Sequence, residues 1–257
     1  MSYAKKSLGQ NFLKDANIIK KIVKIADIKN KNIFEIGPGR GALTSEILKL
    51  KPKSLLVIEK DNNLAKLLDE KFGNFENFKL YNNDILTSNI DNIIKRESIV
   101  IGNLPYNIST QVLIKFIKTK IWPPNFTDLI LMFQKEVANK IIGNSYGRLT
   151  ISSNYRLKVK KKFDVSPNSF SPKPKIVSTV LHFKPKNEIT YKIKNFNNLE
   201  KITAVFFSNR RKIIKNSLHK IFSKEKMLKL EKLDLNKRPE DLKPEVYYKF
   251  VQLYEGK

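Results

Sequence analysis

A regular alternation of short apolar runs with longer amphipathic segments, between residues 15 and 142, limits the possible folds of this chain more than any other feature. It predicts strands over residues 32–36, 54–58, 78–81, 98–101 and 128–133. It predicts helices over residues 15–28, 42–50, 62–72, 109–118 and 134–142. Such alternation is typical of βαβ units, which place parallel strands in one sheet between layers of helices. We therefore expect an α/β fold with a mostly parallel sheet.

The pattern changes after residue 157. Residues 158–165 and 176–183 form two predicted strands without a helix between them, which favours an antiparallel pair at one edge of the sheet. Residues 184–198 are polar and mark the predicted domain boundary, with a first domain over residues 1–185 and a second over 186–257. The second domain is expected to be small and all-helical, with helices over residues 199–207, 212–222 and 244–254.

The net charge of +26, from 50 basic and 24 acidic residues, is typical of a protein that meets nucleic acid or an anionic membrane. The alternative is compositional drift, because lysine, asparagine and isoleucine are abundant while arginine is scarce. No apolar run is long enough to span a bilayer, and the N-terminus lacks the apolar stretch of a secretory signal. We therefore expect a cytoplasmic protein that does not enter a membrane.

The absence of cysteine excludes disulfides, thiolate metal sites and cysteine nucleophiles. His182 and His219 are the only histidines, and structural or surface positions suit both. No metal site is expected.

A glycine-rich loop follows the first predicted strand of the alternating region. Gly37, Gly39 and Ala42 satisfy the spacing G-x-G-x-x-A, in which glycines let the backbone turn sharply and approach a bound nucleotide. Alone, the loop could also be a tight strand-to-helix turn without a ligand. Its position predicts a cofactor site at the carboxyl end of the sheet.

Two acidic residues at the ends of the next strands strengthen that prediction. Glu59 is placed to accept hydrogen bonds from ribose hydroxyls, and Asp84 to accept one from an adenine amino group. These features suit NAD and S-adenosylmethionine alike. A dehydrogenase also needs a proton donor beside a carbonyl, and no such set is apparent, whereas transfer from an activated sulfonium needs mainly positioning. S-adenosylmethionine is therefore the expected cofactor.

The segment Asn103-Leu104-Pro105-Tyr106 follows the strand predicted over residues 98–101 and precedes a helix predicted to begin at Ser109. The Asn103 side-chain oxygen and the Pro105 carbonyl could accept hydrogen bonds from the two N–H groups of an exocyclic amine, which would expose the nitrogen lone pair. Tyr106 could stack on the base. The same geometry would serve cytosine, and a strand-to-turn junction with a packed tyrosine is the plain alternative. No buried general base is needed, since the methylated nitrogen loses its proton readily.

In these segments and several others, the chain resembles the KsgA family of ribosomal RNA adenine dimethyltransferases over nearly its full length. The matching segments are residues 7–13 (SLGQNFL), 35–39 (EIGPG), 57–59 (VIE), 102–109 (GNLPYNIS), 134–137 (QKEV), 146–149 (YGRL), 169–175 (SFSPKPK), 207–212 (FSNRRK) and 216–218 (NSL).

The resemblance implies a class I, Rossmann-like methyltransferase fold and a monomer. It implies dimethylation of two adjacent adenosines in the hairpin loop near the 3′ end of small-subunit ribosomal RNA, on an immature 30S particle. It also implies cofactor contacts by Asn11 and Leu13, and that Phe170 faces Tyr106 across the target base. Arg148, Arg210, Arg211 and Lys212 are expected to contact RNA, although the last three could instead form a solvated helix face.

Three alternatives remain open at this point. A related enzyme could methylate an adenosine in large-subunit RNA, and the Phe170 and Arg210 segments disfavour it by resemblance alone. An RNA-binding assembly factor with little need for catalysis is the second. An NAD enzyme is the third, and calorimetry with the two cofactors would separate it.

Overall fold

The computed structural model describes residues 9–228, 230 and 234–256. The chain divides into a first unit, Met1–Ala138 with Lys158–Pro185, and a second unit, Asn139–Leu157 with Lys186–Lys257. One division falls at the predicted boundary after Pro185. Residues 139–157 differ from the prediction, since they belong to the second unit rather than to the domain that precedes that boundary.

The first unit is built on a seven-stranded sheet with the order β4-β3-β2-β5-β6-β9-β7. The strands are β2 (Asn32–Ile36), β3 (Ser54–Glu59), β4 (Phe78–Asn82), β5 (Ser98–Gly102), β6 (Phe126–Gln134), β7 (Leu157–Val165) and β9 (Ser178–Pro185). The pairs from β4 to β6 are parallel, and β9 lies antiparallel to β6. A separate antiparallel ribbon joins β1 (Phe12–Leu13) to β8 (Phe170–Ser171). The prediction of a mostly parallel sheet with antiparallel strands at one edge is confirmed.

The register brings three strand ends together at one edge of this sheet. Ile36 of β2 lies opposite Ile58 of β3 and Gly102 of β5. The residues that follow these strands therefore emerge side by side, which is where open α/β sheets bind ligands.

Strand β5 is buried along its whole length. Ile99, Val100 and Ile101 are each no more than 3% exposed. A parallel strand covered by helices on both faces needs a continuous apolar run rather than an alternating one, and each such side chain contributes about 1.5–3 kcal/mol on burial. This burial gives the residues after Gly102 a rigid base.

The helices assigned to the first unit follow the predicted alternation. They are α1 (Ala16–Val23), α2 (Ala42–Lys49), α3 (Asn62–Phe72), α4 (Ile90–Ile93), α5 (Tyr106–Ile117) and α6 (Lys135–Ile142), the last of which crosses the division after Ala138. Asp15 caps α1 by accepting hydrogen bonds from the amides of Asn17 and Ile18. Helix α1 ends at Val23, earlier than predicted. Ile25, Ala26 and Ile28 beyond it still pack in the core without helical backbone, which explains why their apolar spacing predicts a helix.

Helix α5 begins three residues earlier than its predicted start at Ser109. Pro105, with φ −52° and ψ 135°, is the N-cap residue, so Tyr106 is the first helical residue. The Ser109 hydroxyl donates to the Tyr106 carbonyl within the first turn rather than capping the helix from outside. The proline, whose φ is fixed by its ring, is the signal that the sequence-based start overlooked.

The elements of more than three residues assigned to the second unit are α-helices. Leu157, the first residue of β7, also belongs to this unit. The helices are α7 (Arg148–Arg156), α8 (Phe196–Phe207), α9 (Lys215–Leu218), α10 (Lys224–Leu228) and α11 (Pro244–Tyr254). The sequence predicts no element at α7, yet Ile151 and Tyr155 of that helix are buried in the unit's core. Tyr248 of α11 donates to the Ile151 carbonyl over 2.7 Å. This packing explains why residues 139–157 belong here.

Within the described residues, no helix combines the length and apolar character that crossing a bilayer requires.

Candidate active site

A pocket of about 260 Å³ lies in the first unit at the carboxyl ends of β2, β3 and β5. Its walls come from the glycine loop, from the ends of the neighbouring strands and from the segment that contains β1. The predicted residues that line it are Asn11, Leu13, Gly37, Gly39, Glu59, Asp84, Asn103, Leu104 and Pro105. Ser7 and Leu8, which belong to the resembling N-terminal segment, lie outside the described residues.

The glycine loop can form only with glycines at two of its positions. Gly37 and Gly39 have φ values of 64° and 59°, in the region that favours glycine. A Cβ on Gly39 would lie 2.9 Å from Cδ1 of Phe12, closer than packed carbon atoms approach. The Arg40 guanidinium lies over the Phe12 ring, 4.7 Å from its centroid. The loop therefore presents bare backbone to the pocket.

Glu59 is held by backbone amides at the end of β3. Its Oε2 accepts a hydrogen bond from the Gly39 amide (3.2 Å) and its Oε1 from the Asp61 amide (2.9 Å). Burial raises the pKa of Glu59, and these amide hydrogen bonds act in the opposite direction. Each oxygen has a second lone pair, so the carboxylate can also accept hydrogen bonds from ligand hydroxyls.

Asp84 follows β4 and is partly exposed. Its Oδ1 accepts from the Leu86 amide (2.8 Å) and its Oδ2 from Lys60 Nζ (2.9 Å). Burial acts to raise the pKa of Asp84, but the Lys60 and Leu86 hydrogen bonds outweigh it, and the pKa is lowered. The group therefore stays ionised at neutral pH and can accept a hydrogen bond from an amine.

The Asn103 side chain is oriented by the segment that contains β1. Asn103 Nδ2 donates to the main-chain carbonyl of Asn11 over 3.4 Å. Asn11 Nδ2 in turn donates to the Gly9 carbonyl over 3.2 Å. Because Asn103 uses its nitrogen in this way, its Oδ1 is left to accept a hydrogen bond from a substrate.

The Pro105 carbonyl does not have its predicted role. It accepts hydrogen bonds from the amides of Ile108 (3.1 Å) and Ser109 (3.2 Å), because α5 begins directly after it. Among the described residues, the neighbouring Leu104 carbonyl has no hydrogen bond, and Leu104 lines the pocket. Leu104 therefore replaces Pro105 as the candidate backbone acceptor beside Asn103.

Tyr106 is half-buried and does not belong to the pocket lining. Its hydroxyl lies 2.6 Å from Ser178 Oγ. Burial raises the pKa of the Tyr106 phenol, which therefore stays protonated at neutral pH. The side chain can offer a ring to a base, and it is unsuited to act as a general base.

The structure does not present the Phe170 ring to the pocket. Phe170 is 2% exposed and lies in the hydrophobic core of the first unit, paired through the β1–β8 ribbon with Leu13. The resemblance implies that this ring faces Tyr106 across the target base, whereas in the structure the ring packs in the core. Stacking on a base would require the ring to be uncovered.

Comparisons with known proteins agree with this geometry. The family model described as "Ribosomal RNA adenine dimethylase" matches residues 1–255. The chain belongs to this family. It is 51% identical to the ribosomal RNA small subunit methyltransferase A of Pelagibacter ubique, over 98% of this chain and 97% of that protein. It is 41% identical to the protein of that name from the Wolbachia of Brugia malayi, over 95% and 94% of the two chains.

Solved structures give the same result. A dimethyladenosine transferase from Plasmodium falciparum superposes with a TM-score of 0.79 at 27% identity, covering 95% of this chain and 97% of that one. The 23S rRNA methyltransferase ErmE has a TM-score of 0.71 at 22% identity, over 95% and 100%, which shows a common fold. The class I methyltransferase fold and the family resemblance are thereby confirmed, and the NAD alternative is set aside.

The sequence reasoning assigned no role to two buried residues beside the site, Ser178 and Glu35. Glu35 is 1% exposed at the end of β2; its Oε2 accepts from Thr44 Oγ1 (2.8 Å), and its Oε1 has no partner among the described residues. Burial raises the pKa of Glu35 to about 8. The available signal was an acidic residue inside an apolar strand, directly before the glycine loop.

The four predicted RNA-contact residues are exposed and lie in the second unit. Arg148 begins α7, and its guanidinium donates to the Glu200 carbonyl. Arg210, Arg211 and Lys212 occupy a turn after α8 ends at Phe207, so they do not form a helix face. Within the described residues, no group of three or more histidine, aspartate or glutamate side chains is arranged to hold a metal ion.

Proposed function

We propose that this protein transfers methyl groups from S-adenosylmethionine to the exocyclic N6 of two adjacent adenosines in the 3′-terminal hairpin loop of small-subunit ribosomal RNA. The product is dimethyladenosine, and the substrate particle is an immature 30S subunit during ribosome assembly. The observation that carries the proposal is the Asn103 amide, which is oriented at the mouth of the same pocket as the glycine loop. Membership of the ribosomal RNA adenine dimethylase family supports it.

The pocket fits the cofactor at three points. Gly37 and Gly39 line the pocket without side chains, so a ligand can approach the main chain closely. Glu59 is placed for the ribose hydroxyls and Asp84 for the adenine amino group, and Asn11 and Leu13 also line the pocket. When bound, S-adenosylmethionine supplies a methyl group already activated on a sulfonium. The chain therefore needs to position the acceptor rather than to activate the donor.

The acceptor amine would be held by two oxygens. Asn103 Oδ1 and the Leu104 carbonyl accept hydrogen bonds from its two N–H groups and leave the nitrogen lone pair exposed toward the methyl group. Preorganised acceptors of this kind lower the barrier because they need no rearrangement during the reaction. Tyr106 stacks on the base, an interaction that contributes about 1–3 kcal/mol.

The substrate polymer follows from charge and from the cost of exposing a base. The net charge of +26 favours a polyanion, and we propose that Arg148, Arg210, Arg211 and Lys212 of the second unit contact its phosphates. A hairpin loop presents bases that are already partly unstacked, so moving one into the site costs less there than in a duplex. The first unit would bind the cofactor, and the chain would act as a monomer.

The deciding experiment incubates the chain with labelled S-adenosylmethionine and either unmodified small subunits or large subunits, and maps the methylated nucleotides by mass. Dimethylation of two adjacent adenosines near the 3′ end of small-subunit RNA is expected. Label found only in large-subunit RNA would favour the related enzyme. Binding to small subunits without methyl transfer would favour an assembly factor, and either result would contradict the proposal.

A further inference from the structure

The hydroxyl of Tyr106 forms a hydrogen bond with the hydroxyl of Ser178, a residue with no assigned role. We infer that Ser178 is a positioning residue for methyl transfer, which holds the Tyr106 ring in the orientation that receives the target base. This inference rests on the proposed function and adds a residue to its site.

The two hydroxyls join two elements that are far apart in the sequence. Tyr106 is the first residue of α5, and Ser178 is the first residue of β9, where it pairs with Gln134 of β6. The Oη–Oγ distance of 2.6 Å is at the short end for hydrogen bonds between hydroxyls. Ser178 is completely buried, so its hydroxyl sits on the rigid sheet rather than on a mobile surface.

The Tyr106 ring needs such a restraint. A side chain in the first turn of a helix can choose among staggered χ1 rotamers, and each would direct the ring differently. The ring is only half-buried, so packing does not enclose it on all sides. A hydrogen bond to a fixed serine selects one orientation before the base arrives, which lowers the ordering cost of stacking.

The same link limits what the phenol can do. Both hydroxyls are neutral, and either can donate to the other. An oxygen that is already paired with Ser178 is poorly placed to receive a proton from the substrate amine. Tyr106 therefore acts through its ring, and Ser178 acts on the reaction only through Tyr106.

A double-mutant cycle tests this dependence. Ser178→Ala and Tyr106→Phe each remove the hydrogen bond, and Tyr106→Phe keeps the ring. Each single change is expected to lower kcat for methylation of small subunits by about five- to tenfold, with the Kd for S-adenosylmethionine within about twofold of wild type. The double variant should lose no more than the worse single variant, because one shared contact is removed once.

Ser98→Ala is the matched control. Ser98 is also a buried serine, at the amino end of β5, and its hydroxyl donates to the Lys95 carbonyl over 2.6 Å. It should lower the melting temperature by an amount comparable with Ser178→Ala and leave kcat unchanged. A loss of kcat in both serine variants would indicate a general packing effect and would overturn the inference.

Multiplicative losses in the double variant would also overturn it, since they mean that Ser178 does not act through Tyr106. If Ser178→Ala fails to fold, Tyr106→Phe decides alone, and a kcat within about 1.5-fold of wild type contradicts the inference. A wild-type chain that binds S-adenosylmethionine but methylates no RNA would overturn the proposed function, and this inference with it. Those outcomes are separable because wild-type turnover is measured first.

Discussion

The two ends of the pocket are held in place by different means. At the cofactor end, the geometry comes from the backbone: Gly37 and Gly39 turn with positive φ, and Glu59 is fixed by the main-chain amides of Gly39 and Asp61. At the reacting end, the geometry comes from contacts between distant segments: Asn103 is joined to Asn11 and Tyr106 to Ser178. The first end is therefore set mainly by main-chain groups, whereas the second depends on side chains held by distant segments.

The difference has a physical consequence. A glycine turn either forms or fails to form, so changes there should act on cofactor binding. An amide or a ring held by one hydrogen bond can be misdirected while the fold survives, so changes there should act on the rate. The following predictions separate these two behaviours, in order of decreasing effect.

Replacing Asn103 by alanine should have the largest effect. The loss of the amide acceptor is expected to lower kcat by at least about a hundredfold, while the Kd for S-adenosylmethionine changes by less than about threefold. Single-turnover methylation and calorimetry measure the two quantities. Asn77→Ala is the control. Asn77 lies directly before β4, and its Nδ2 also donates to a backbone carbonyl, that of Pro52. Tight cofactor binding with near wild-type turnover in Asn103→Ala would contradict the proposed mechanism.

Gly39→Ala should show the opposite pattern. The new Cβ would meet the Phe12 ring at 2.9 Å and would also strain a backbone with φ of 59°, so we expect the Kd for S-adenosylmethionine to rise by about tenfold or more. Calorimetry is the measurement. Gly256→Ala separates strain from contact, since that glycine has φ of 81° with no atom within 4 Å of the added Cβ. Unchanged cofactor affinity in Gly39→Ala would contradict the role of the main chain at this end.

The smallest expected effect on methylation concerns Glu35, which lies just before the glycine loop in the sequence. Its pKa is raised from 4.5 to about 8 in the folded chain, so between these pH values the folded state keeps a proton that the unfolded state has released. The free energy of unfolding therefore falls as the pH rises through that window. Glu35→Gln removes this dependence, and its melting temperature should gain about 7–14 °C on wild type between pH 5 and pH 8.

Thermal unfolding at several pH values checks this, with Glu76→Gln at an exposed position as the control. A difference in melting temperature between Glu35→Gln and wild type that stays constant across the window would show that the Glu35 proton is not part of folding. Burial of the Glu35 carboxyl would then not lower the free energy of unfolding as the pH rises.

The comparison of the two ends also explains how much the sequence could predict. Strand β2, helix α3 with its Asp61 cap, and the pocket residues Glu59 and Asp84 were predictable because apolar periodicity, capping residues and glycine spacing are local signals. Strand ends in a parallel sheet share one edge, so the position of the pocket followed.

The remaining features depend on partners that no local pattern reveals. Helix α7 carries mixed polar and apolar residues, and only its packing in the second unit shows which face is buried. Phe170 was interpreted as a ring for the base, but the β1–β8 ribbon places it in the core. Helix α5 starts after Pro105, its N-cap, rather than at Ser109 as predicted. The Pro105 carbonyl is therefore used by helix amides, and the Leu104 carbonyl becomes the candidate acceptor for the substrate amine.

The two links at the reacting end also differ in how they tolerate evolutionary change. Asn103 is held by the main-chain carbonyl of Asn11, a group that every amino acid supplies, so drift at position 11 leaves that link intact. The link between Tyr106 and Ser178 needs a hydrogen-bonding side chain at both positions, so an apolar replacement at either one leaves the other without its partner. Related chains should therefore vary more freely at position 11, within the limits set by the cofactor, than at position 178.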